Sequence, residues 1–164
     1  MEQNELLLRT AFACMSCDGD IATEEVALIK QMSNEKHLFG DIDINKALDE
    51  LVNEINLKGK DFLNQYLASL SEQTLTEDEE LMVADVAVQT IRADNKIEYS
   101  EIKFFKLLRS KLKIVSDKTL LDRIDGIDED YLARDICDDY LQIYDDYFNT
   151  TELPKFNNLM LKSN

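Results

Sequence analysis

Asp18-Gly19-Asp20-Ile21-Ala22-Thr23-Glu24-Glu25-Val26 returns 76 residues later as Asp94-Asn95-Lys96-Ile97-Glu98-Tyr99-Ser100-Glu101-Ile102. Asp, a Gly or Asn that tolerates positive φ, Ile, Glu and an apolar residue recur in register. The flanks repeat as well. Ala11 falls over Ala87, Phe12 over Val88 and Met15 over Ile91, and Leu28-Ile29-Lys30 falls over Phe104-Phe105-Lys106. A helix–turn–helix unit used twice predicts an all-α, multihelical array of two pseudo-symmetric halves, repeat 1 spanning about 1–72 and repeat 2 about 77–124.

Working outward, the glycines punctuate helical patterns. Gly19, Gly40, Gly59 and Gly126 all lie where apolar residues at 3–4-residue spacing break off. The segments between them predict helices near 2–16, 23–37, 44–56, 60–72, 77–93, 99–112 and 117–124. An acidic helix is expected at 129–148 and a short one after Thr151, with Pro154 in its first turn. Thr76 with Glu79 forms a capping box, and Asp43 and Ser116 offer side-chain oxygens at other starts. The first and fifth helices are apolar nearly all round: Leu6, Leu7, Leu8, Ala11, Phe12, Ala13, Cys14 and Met15 in one, Leu81, Met82, Val83, Ala84, Val86, Ala87, Val88 and Ile91 in the other. Helices without a polar face belong at the centre of an array, and their alanines allow the two axes to approach closely.

The chain has 164 residues, enough for one domain with a core needing no disulfide or metal staple. Only 4 glycines and 1 proline disfavour sandwiches and barrels, which use turn residues freely. A net charge of −16 repels nucleic acid phosphates and anionic membrane, and favours cations or basic protein surfaces. No apolar run is long enough to span a bilayer, so direct membrane insertion is not expected. Glu2, Glu5 and Arg9 break the pattern of a signal peptide, and three cysteines fit no closed disulfide framework. The expected location is a reducing cytoplasm.

Chemically, the first repeated loop imitates the second half of an EF-hand, in which Gly, then Ile, then a bidentate Glu close the loop. Asp18, Asp20 and Glu25 are its candidate ligands for a divalent cation, calcium or manganese, with Asp94 and Glu101 as second-copy counterparts. A standard EF-hand is excluded, because Cys14 and Ser16, then Thr90 and Arg92, occupy positions where carboxylates belong. The same residues also read as purely structural: Asp before Gly makes a turn, Ile plugs the core, and Glu caps the next helix. Cys14-Met15-Ser16-Cys17 has the C-x-x-C form but closes the C-terminal end of a helix, where the dipole opposes thiolate formation. Adding His37 and Cys137 gives four zinc-type ligands without knuckle spacing, so core cysteine is the better reading. His37, at a helix end, reads as a carbonyl cap. No Ser/His/Asp arrangement and no phosphate-cradling glycine loop offers catalysis, and no enzyme is expected.

The duplicated Asp-Gly-x-Ile/Val-x-x-x-Glu loop, each copy preceded by a small-residue apolar helix, resembles the TerB family of tellurite-resistance proteins. It is also similar to the N-terminal module of a membrane-anchored DnaJ-type co-chaperone. The similarity covers about 1–124. It implies an all-α domain of bacterial stress responses that works by binding, coupled to metal ions, and no enzymatic reaction. The chain departs from the family pattern at Cys17, where Ala is usual, and at Ala22 and Glu98, where a Ser/Thr cap is expected. Thr23 and Ser100 stand one residue later as substitutes that would shift the helix start.

Residues 125–164 have no counterpart in the repeat. They hold ten acidic residues against three basic ones, with Tyr140, Tyr144 and Tyr147 on one helical stripe. This acidic helical extension reads either as an amphipathic helix docked on the array or as a tyrosine-and-carboxylate surface for a basic protein partner.

Overall fold

Side-chain caps decide where several of the helices begin. The computed structural model describes residues 2–19, 21–93, 99–127 and 129–132. Among these are eight helices and no strand: α1 (Gln3–Ser16), α2 (Thr23–Lys36), α3 (Ile44–Lys58), α4 (Lys60–Glu72), α5 (Glu77–Ile91), α6 (Tyr99–Lys111), α7 (Asp117–Arg123) and α8 (Glu129–Leu132). At α5 the capping box is complete. Glu79 N–H donates to Thr76 Oγ1 at 3.1 Å and Thr76 N–H to Glu79 Oε1 at 2.9 Å. Asp43 accepts from Lys46 N–H, and Ser116 from Thr119 N–H.

α2 starts differently. Ala22 is its N-cap and has no side-chain acceptor, so only the reciprocal half of a box forms: Ala22 N–H donates to Glu25 Oε1 at 2.9 Å. Thr23 does not take over the cap, and the helix start is not shifted. At the other end His37 closes α2 through its backbone, in the left-handed conformation at φ 49°, with its N–H on the Met32 carbonyl. The cap expected there is made by the main chain of an exposed residue.

α1 packs most extensively on α5. Ala11, Ala13, Ala84 and Ala87 are fully buried, as are Leu7, Phe12, Val83 and Val88. With no side chain beyond Cβ, the alanines let the two helices meet closely; α1 is buried on nearly every face from Leu6 onward, whereas α5 keeps one face, with Asp78, Met82 and Asp85, exposed. α2, α4 and α6 each contact this pair. Phe12 meets Phe62 edge-on at 5.5 Å, and Tyr66 stacks on Phe104 at 6.3 Å. One hydrophobic cluster runs through all eight helices, out to Leu120 of α7 and Tyr131 of α8. Within the described residues no helix is long and apolar enough to cross a membrane.

Past α7 the chain turns back onto α5 and α6. Gln89 Nε2 donates to the Asp125 carbonyl at 2.8 Å. Gly126, at φ 86°, lies against the Arg92 guanidinium, which fills the space a Cβ would need. Tyr131 is buried edge-on to Phe105 at 5.5 Å. α8 therefore docks on α6. The stripe of Tyr140, Tyr144 and Tyr147 lies outside the described residues.

Candidate functional site

The first loop leaves α1 at Cys17 and enters α2 at Thr23. Its turn is made by the backbone, with Gly19 N–H on the Ser16 carbonyl at 3.1 Å and Gly19 at φ 85°. That positive φ is why the position after Asp18 is glycine. Ile21 packs against the core, as its apolar side chain requires.

The expected cation ligands part company here. Asp18 is exposed, whereas Glu25 is 4% exposed, with Oε1 engaged by the Ala22 amide. Asp20 and Asp94 lie outside the described residues. Glu101 sits in the first turn of α6 and is also 4% exposed. The two glutamates of the repeated motif therefore share both sequence position and burial. Among the described residues, no three His, Cys, Asp or Glu side chains gather as a metal-ligand group.

Glu25 and Glu101 both face the end of α1. Cys14 and Cys17 are free and buried. Burial pushes the Cys14 thiol well above its ordinary value, and the Glu101 and Glu25 carboxylates push the same way. Cys17 is raised by burial first, then by Cys14, Asp18 and the same two glutamates. Burial thus favours the protonated form of both thiols, which agrees with the core-cysteine reading for Cys14 and Cys17. One helix turn inward, Tyr66 Oη and Thr10 Oγ1 lie 2.6 Å apart, and Thr10 donates to the Leu6 carbonyl. Burial raises the Tyr66 hydroxyl, Cys14 adds to it, and the Thr10 hydrogen bond opposes both.

A third buried acid escapes sequence reading. Glu80, 3% exposed, accepts the Lys113 amide at 2.8 Å on Oε2 and the Ile114 and Val115 amides at 2.9 Å on Oε1. It fastens the α6–α7 connection to the first turn of α5. In the sequence it is one of four successive acids, Glu77, Asp78, Glu79 and Glu80; Glu77 and Asp78 are exposed and Glu79 is half-buried. The one weak signal is its place next to Leu81, on the core side of an amphipathic first turn.

The remaining polar feature joins α1 to α3. Arg9 makes a two-pronged ion pair with Glu54, Nη1 to Oε2 at 3.0 Å and Nη2 to Oε1 at 3.2 Å. Glu5 and Lys58 extend it, and the guanidinium lies over the Phe62 ring at 6.0 Å. Comparison with family models, with curated proteins and with solved structures finds no match for this chain.

Proposed function

We propose that this chain is a non-enzymatic, TerB-like binding module of a bacterial stress response of the tellurite or metal-stress type. It presents acidic surfaces to a divalent cation or to a basic protein. The observation that carries the reading is the repeated acidic junction: Glu25 and Glu101 stand 76 positions apart, each in the first turn of a helix and each 4% exposed. The all-helical fold agrees with the resemblance.

The cation site consists of Asp18, Asp20 and Glu25. Carboxylate oxygens suit a hard cation such as calcium or manganese, and an exposed Asp18 suits a shallow, weak site. Equilibrium dialysis against calcium or manganese tests it. Saturable uptake by the wild type, lost in the Asp18→Asn/Asp20→Asn double variant, supports the reading. Equal uptake by both removes the loop from it.

A second reading, a metal-independent adaptor, is favoured by one specific observation. Glu25 already performs a structural task, holding the Ala22 amide at a helix start that has no side-chain cap. The acidic surface, at net −16, then serves a basic protein partner alone.

A further inference from the structure

This acidic chain contains a basic stretch. Residues 102–118 hold six bases, Lys103, Lys106, Arg109, Lys111, Lys113 and Lys118, against the single acid Asp117, in a molecule of net charge −16. Asp117 is engaged by Arg109 at 3.0 Å. Phe104, Phe105, Leu107 and Leu108 bury the inner face of α6. Its outer face is Ile102, Lys103, Lys106, Arg109 and Ser110, at helical spacing and half-buried to exposed. α8 sits at one border of that face. Tyr131 meets Phe105 edge-on at 5.5 Å, and Phe105 has Ile102 three residues before it and Arg109 four after.

We infer that the outer face of α6 is the docking surface for the chain's own acidic segment, residues 135–152, which covers it in the same molecule. Charge and connectivity select this occupant. Residues 135–152 hold six acids and no base, the opposite sign to 102–118. The segment leaves from Leu132, at the end of α8, so Asp135 has at most about 10 Å of chain between it and the border of the basic face. Tethering at that distance gives the segment an effective concentration of about a millimolar or more, which a free acidic partner must exceed. A separate polyanion also meets the repulsion of a chain at −16. The chemistry of the two surfaces matches beyond charge. Lysine stems and Ile102 offer apolar area to the rings of Tyr140, Tyr144 and Tyr147, while the ammonium groups meet the carboxylates. The inference goes beyond the cation and basic-partner readings above, because it assigns these acids to the chain itself.

The test is amide hydrogen exchange of the full chain, read by mass spectrometry over residues 135–152. The wild type should protect this segment, and less so as salt rises from about 0.05 to about 0.5 M. Lys103→Glu/Lys106→Glu should speed exchange there about tenfold or more, and so should Asp135→Lys/Asp138→Lys, whose positions are likewise three apart. Joining all four substitutions should restore the protection, since the pairing is then reversed in sign. Peptides from α1 and α5 should exchange alike in every variant, which separates lost docking from lost folding. Three results overturn the inference: a wild type unprotected over 135–152, charge reversals without effect there, and a fourfold variant no better protected than its parents. Protection that fades on dilution also overturns it, and gives the segment to a second copy.

Discussion

Arg9 and Glu54 form an interaction whose strength depends on pH in a definite direction. Hydrogen bonding to Arg9 lowers the Glu54 carboxyl from its ordinary value, burial opposes it, and the Arg9 and Lys58 charges add to the lowering. The folded state therefore releases this proton more readily than the unfolded chain does. The stabilisation is complete above the ordinary carboxylate value and disappears as pH falls through the lowered one. Both side chains are about a quarter exposed, so solvent screening holds the contribution to about 1 kcal/mol or less. Between about pH 5 and pH 3 the wild type should lose more stability than Glu54→Gln, measured by urea midpoints. Parallel pH profiles would contradict the assignment. Glu80 is the instructive contrast. Its partners are three backbone amides 33 to 35 residues away, a tertiary relation that no local pattern of charge encodes.

At the scale of elements, the α1–α5 pair organises the core, and its alanines make the pair possible. Ala11 and Ala87 are both fully buried. Ala11→Leu and Ala87→Leu should each overpack the contact and cost roughly 1–3 kcal/mol in denaturant unfolding. Midpoints equal to the wild type would mean that the helices do not pack through these residues. This pair was legible in the sequence because an all-round apolar helix has only one comfortable place in a helical array. The caps at Thr76, Asp43 and Ser116 were legible for a similar reason, since a side chain and an amide three residues on interact regardless of tertiary context. Ala22 was less legible. Glu25 supplies an acceptor from inside the helix, so the start stays in place without a Ser or Thr cap.

For the whole molecule, an acidic surface surrounds an apolar helical array, with two buried glutamates of a repeated motif facing the same pair of cysteines. The proposal that the first of these junctions carries a cation makes a direct thermodynamic demand. A ligand that binds only the native state raises the melting temperature in proportion to the logarithm of its concentration over its dissociation constant. The measurement is the thermal melt of the full chain in millimolar calcium or manganese, beside the same melt of Asp18→Asn/Asp20→Asn. The account predicts a higher melting temperature for the wild type in one of these ions and a smaller shift for the double variant. A wild-type melting curve unchanged by any divalent cation would contradict the cation proposal and leave the acidic surface to a protein partner alone.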